Sequence, residues 1–217
     1  QESAEKGRPY SRKMQNIILN LTKSINNPES APKLLVGTGK DEVYLCVVLT
    51  ADRGLCGGFN TNIIKKAKQY FQKILKENKI LKIITVGSKG YDQLKRQYKE
   101  NIIERISFKD SKNINYFDAD KVGKIIIDRF EKKEFDVCTI FYNQFKNVIT
   151  QIAQEQQIIP LKSNEVKETS SNSSYEFEPE EDEILSNLLP KNISTQIFKA
   201  MLENSASEQG SRMSAMD

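Results

Sequence analysis

Positions 42–62, EVYLCVVLTADRGLCGGFNTN, gather the residues best suited to chemistry. Asp52 and Arg53 form a charged pair, and Cys56 is a thiol. Gly54, Gly57 and Gly58 make a pliant turn ahead of Asn60 and Thr61. An apolar strand, a glycine turn and a helix start are the usual parts of a phosphate cradle. The spacing departs from both common versions. No GxxxxGK[ST] occurs here, and Gly54 followed by Gly57 and Gly58 is not GxGxxG. Cys56 as a nucleophile needs a neighbour that lowers its pKa. Arg53 could assist, but no general base stands near it in sequence.

The sequence contains no histidine. That excludes Ser-His and Cys-His dyads within this chain, and every zinc site that uses histidine. Asp118, Asp120 and Gly123 echo the start of a calcium loop. Val122 and Arg129 stand where oxygen ligands are required, so the echo fails. Asp118 is expected instead as the N-cap of a helix starting at Ala119. Ser88 and Lys89 form no SxxK motif. The residues therefore assign no catalytic, metal or cofactor site. The competing reading, from another class, is a nucleotide-binding α/β enzyme that uses the Gly54–Gly58 turn.

The elements that must position these residues follow from periodicity. Residues 4–25 read as a helix, with Met14, Ile18, Leu21 and Ile25 at spacings of a heptad seam. Pro9 is expected to kink it or to mark its first turn. A polar linker follows. Strands are expected at 43–49, 81–86, 136–143 and 148–159, and a weaker apolar stretch at 101–108. Helices are expected at 61–77, 88–97 and 119–130. This alternation predicts an α/β unit with a mostly parallel, Rossmann-like sheet. Residues 163–174 are polar and low in complexity, and the EFEPEEDE run beyond them is acidic. Residues 183–217 read as a helix interrupted near Pro190, with Ile193, Ile197, Phe198, Met201 and Leu202 as its apolar stripe. The expected organisation is a helix at 1–26, an α/β domain at 40–162, a loop at 163–182 and a second helix at 183–217. The two helices would form an antiparallel coiled coil.

Composition is in keeping with this. The chain has 217 residues, 38% hydrophobic and 29% charged. A net charge of +4 is too small to argue for nucleic acid. No apolar run approaches the roughly 18 residues of a membrane span. Cys46 and Cys138 lie in apolar strands, and three cysteines in all suggest a reduced, intracellular setting. The polar first residues lack the apolar core of a secretory leader. A start at Gln1 and a helical period still running at Asp217 read as a piece of a longer chain.

Three separated stretches carry a family resemblance: RPYSRKM at 8–14, LTADRGLCGGFNTNI at 49–63, and ENSASEQGSRMSAMD at 203–217. In this order and spacing the chain resembles the gamma subunits of F-type ATP synthases. The resemblance implies a central rotor that binds no nucleotide itself. It would carry torque between a membrane c-ring and the catalytic alpha and beta subunits, for proton-driven ATP synthesis, with an epsilon subunit at its base. The choice of coupling ion lies in the membrane ring. The place implied is the cytoplasmic face of the bacterial inner membrane, or else the matrix side of the mitochondrial inner membrane. YEFEP at 175–179 matches the family's c-ring contact and gives Tyr175 and Glu178 that role. Met14, Ile18, Leu21 and Ile25 are implied to face the C-terminal helix between Met201 and Met213, with Ile197 in the same packing. Glu208 and Arg212 become candidates for contact with alpha or beta, against the plain reading of a solvated helix face. The helix ends that turn within the alpha–beta ring are absent from this sequence.

Overall fold

The computed structural model describes residues 1–23, 28–161 and 181–217. A first helix, α1, spans Glu2–Lys23. A short helix, α2, spans Lys33–Val36. The sheet then alternates with helices: β1 Val43–Leu49, α3 Phe59–Lys76, β2 Ile80–Val86, α4 Ser88–Tyr98, β3 Ile102–Ile106, α5 Tyr116–Glu131 and β4 Val137–Phe145. A hairpin leads to β5 at Gln151–Ile159, and α6 runs over Glu181–Met216.

The strand order is β3-β2-β1-β4-β5. β1 lies parallel to β2 and β4, β2 lies parallel to β3, and β5 returns antiparallel to β4. The central strands are buried on both faces, which explains why VYLCVVL and VCTIFYNQF are nearly continuous apolar runs. One face packs Phe59, Ile63, Ala67 and Phe71 of α3 and Leu94 of α4 against Cys46, Val48 and Phe141. The other packs Val122, Ile126 and Phe130 of α5, with Ile193, Ile197 and Met201 of α6, against Leu45, Val47 and Ile140. α6 is thus part of the sheet's own core.

Four local expectations shift. α5 begins at Tyr116, and its cap is Asn115, whose Oδ1 accepts from Asp118 N at 3.0 Å. Asp118 is the third helical residue; its carboxylate accepts back from Asn115 N at 3.3 Å and completes a capping box. α3 opens at Phe59, whose buried ring is part of the core on that face of the sheet. α1 begins at Glu2, so Pro9 lies inside the helix and does not mark its first turn. α6 is likewise helical over 36 residues through Pro190. Proline costs an interior helix about 3 kcal/mol. Leu185 and Leu189 before it and Ile193 and Ile197 after it are all buried, and that packing outweighs the lost bond.

α1 and α6 lie antiparallel. Ala4 clusters with Leu202, Ala206 and Phe145, and Met14, Ile18 and Leu21 cluster with Leu35, Leu185 and Leu189. This register differs from the one the resemblance implied. With Ala4 beside Ala206, the Met201–Met213 stretch lies too far along α6 to meet Met14 through Leu21. Their partners come from the first three turns of α6 instead, with Leu35 of α2.

Candidate functional site

The glycine turn begins where β1 leaves the sheet. Thr50 N donates to Val86 O at 2.8 Å, keeping the exit in line with β2. Asn60 then staples the turn shut: its Oδ1 accepts from Ala51 N at 2.9 Å, and its Nδ2 donates to Cys56 Sγ at 3.4 Å. Leu55 and Gly57 both sit at positive φ, +60° and +55°. The Asp52 carboxylate accepts from Ser88 N and Oγ at 2.8 Å, from Ser107 Oγ at 2.7 Å and from Phe108 N at 3.1 Å. Asp52 thereby ties together the ends of β1, β2 and β3. Burial opposes its ionisation, but these donors hold its carboxyl below the usual range. Burial, with the field of Glu208, pushes the Cys56 thiol up, the reverse of what a nucleophile requires.

The neighbour of this turn is α6. Arg212 Nη1 donates to Gly54 O at 2.8 Å, while its Nη2 pairs with Glu208 at 2.7 Å. A methyl group at Gly57 would stand in ordinary contact with Ser211 O and Ala215. On the opposite side of α6, Gly210 lies so close to the β4–β5 hairpin that a Cβ would come within 3.1 Å of Val148 O. The glycine turn and the hairpin tip therefore hold the helix between them.

The strand order reverses between β1 and β4. In open α/β sheets the crevice at the carboxyl ends of such a strand pair is the usual ligand seat. Here α6 fills it. Asn204 Nδ2 donates to Leu49 O at 2.9 Å, and its Oδ1 accepts from Asn143 N at 2.7 Å. Ser207 Oγ donates to Asn143 O at 3.2 Å. Glu203, fully buried, accepts from Phe145 N at 2.8 Å and from the Arg8 guanidinium of α1. Further along, Ser11 Oγ and Gln156 Nε2 both donate to Gln196 Oε1, at 2.9 and 3.1 Å, linking α1 and β5 to α6. A cleft of about 710 Å³ remains beside this seat, with Arg53, Lys109 and Arg212 among the residues on its walls and Asp52 and Glu208 among them too. Its charges are mixed. Among the described residues no group of three or more Cys, Asp or Glu is placed to hold a metal ion.

The residues singled out from sequence fall in four places. Met14, Ile18 and Leu21 are buried in the helix-pair cluster. Ile197 and Met201 are buried in the sheet core. Met213 is 58% exposed, and Glu208 and Arg212 pair with one another beside the glycine turn. Ile25, Tyr175 and Glu178 lie outside the described residues. Sequence reasoning missed Arg8, Gln196, Glu203, Asn204 and Ser207. A signal for three of them existed: Gln196, Ala200, Glu203, Ser207 and Ser211 continue the helical period of the apolar stripe, so polar groups had to enter the interior.

Fold and site together define an α/β base fastened by buried polar bonds to a long antiparallel helix pair. The family model described as ATP synthase matches residues 1–217. The ATP synthase gamma chain of Pelagibacter ubique is 80% identical over 217 residues, covering 100% of this chain and 75% of that one. The gamma chain of Jannaschia sp. is 50% identical over 222 residues, again covering 100% and 75%. Among solved structures, the central stalk and c-ring of the Tetrahymena thermophila mitochondrial ATP synthase has a TM-score of 0.71 at 23% identity, covering 99% of this chain and 90% of that one. The rotor of the Euglena gracilis mitochondrial enzyme has a TM-score of 0.58 at 17% identity, covering 99% and 87%. The chain belongs to the ATP synthase gamma-chain family. No helix among its described residues is long and apolar enough to cross a membrane.

Proposed function

We propose that this chain is the non-catalytic central-stalk subunit that carries torque between a membrane c-ring and the alpha–beta hexamer of an ATP synthase. The observation that supports this most is the occupied switch-point crevice. Where a doubly wound enzyme would hold a nucleotide, Asn204 of the protein's own helix takes the backbone groups of Leu49 and Asn143. The base is thereby committed to gripping a shaft. Torque needs such a grip, because apolar packing is non-directional and resists twisting poorly on its own.

In this reading Tyr175 and Glu178 dock on the polar loops of the c-ring, and an epsilon subunit joins the base. Glu208 and Arg212, where α6 leaves the glycine turn, lie toward alpha and beta. The place is the cytoplasmic face of a bacterial inner membrane. Glu178→Lys is expected to weaken docking to an isolated c-ring by about tenfold, since it puts a cation where the reading needs a carboxylate. Unchanged affinity in a pull-down titration would remove Glu178 from the interface.

A further inference from the structure

Glu203 has no counterpart in the sequence-derived sites. Its carboxylate is wholly buried, whereas the Arg8 side chain keeps 26% of its exposure. Arg8 Nε reaches Glu203 Oε1 at 2.5 Å and Nη2 reaches Oε2 at 3.0 Å. The same Nη2 donates to Phe145 O at 2.7 Å, and Phe145 N donates to Glu203 Oε2 at 2.8 Å. One ion pair thus joins α1, α6 and both backbone groups of the last residue of β4.

Such a pair is a poor device for stability alone. Replacing a buried ion pair by apolar groups of similar volume is often neutral or stabilising, and its best-attested use is to fix one register. Apolar contacts do little to set the register of α6 at this point, which leaves it to polar bonds: those of Asn204 and Ser207 to the sheet, and that of Glu203, which alone of the three also reaches α1. Beyond Asn204, on the C-terminal side of Glu203, the residues of α6 are mostly small: Ser205, Ala206, Ser207, Gly210 and Ser211. Small faces let helices approach closely but do not interlock. A slip of one helical turn would bring Ser207 or Lys199 to the place of Glu203. Ser207 offers Arg8 no charge, and Lys199 would meet it with a like charge. The slip to Lys199, whose ammonium cannot accept a hydrogen bond, also strips Phe145 N of its acceptor, at the cost of a buried unpaired donor.

We infer that Glu203 and Arg8 form a registry pin that stops α6 from sliding or turning against the sheet and α1 under load. They are positioning residues for energy coupling, and the inference rests on the rotor reading above. The test uses the assembled ATP synthase in lipid vesicles, with the full-length subunit, and reads ion uptake per ATP hydrolysed. Arg8→Met/Glu203→Leu removes both charges together. It is expected to hydrolyse ATP within about twofold of the parent while its uptake per ATP falls by about threefold or more. Glu203→Gln keeps an acceptor for Phe145 N and is expected to lose less. The inference is overturned if both variants keep the parental ratio. It is equally overturned if the double variant fails to assemble while Glu203→Gln keeps that ratio. Hydrolysis without uptake in the unsubstituted complex would instead sink the rotor reading.

Discussion

Single atoms set the limits of the site. Gly87 sits at φ +105°, and a Cβ there would stand 2.2 Å from Thr50 O. Backbone cannot yield as the end of a flexible side chain can. Gly87→Ala is therefore expected to cost about 3–5 kcal/mol of unfolding free energy in urea titration, combining a forbidden φ with a clash. A loss under about 1 kcal/mol would show that the β1 and β2 exits are looser than described. Two carboxylates give the fold an acid limit. Burial opposes ionisation of Asp136, but Thr38 Oγ1 and the amides of Glu42 and Val43 hold its carboxyl below the usual range, as the donors around Asp52 do there. A carboxyl with a lowered folded pKa stabilises the fold above its unfolded value of about 3.9 and stops doing so as pH falls through the folded value. The thermal midpoint should thus be insensitive to these groups near neutrality and should drop below about pH 4, with a shallower drop in Asp52→Asn. An identical acid profile in Asp52→Asn would take Asp52 out of that account.

Elements decide what the sequence could reveal. The alternation of strands and helices was legible because central parallel strands are apolar throughout and α3 and α5 show a clean period of 3.6. The unbroken course of α6 was not legible, since Pro190 argues locally for a break and only the packing of Leu189 and Ile193 overrides it. The partners of Met14, Ile18 and Leu21 were also hidden. A heptad seam says that a helix has a mate, and the register comes from contacts distant in sequence, such as Arg8 with Glu203. The glycine turn was visible as a motif, yet its use depended on Arg212, 158 residues away from Gly54. Asn204 offers a direct test at this scale. Asn204→Leu leaves Leu49 O and Asn143 N without their partner, which should cost about 2–4 kcal/mol in denaturant unfolding. Met213→Ser on the same helix, at an exposed position, should stay within about 0.5 kcal/mol. Equal effects from the two substitutions would contradict the description of α6 as seated through Asn204.

On the scale of the whole molecule, a fold that often serves nucleotide enzymes here serves as a mount. The α/β sheet supplies rigidity, and α6 enters the crevice that would otherwise take a ligand. Calorimetric titration with ATP or NAD should accordingly show no binding in the micromolar range. Tight binding accompanied by turnover would favour the enzyme reading of the glycine turn. The most direct measurement of the central claim uses a chimera. The part of the Pelagibacter ubique gamma chain that this sequence matches, 75% of that chain, is replaced by this sequence in the assembled ATP synthase. ATP-driven ion uptake into vesicles is then followed together with hydrolysis. A torque-carrying subunit predicts uptake per ATP equal to that of the unaltered complex. Assembly with hydrolysis but no uptake would contradict it.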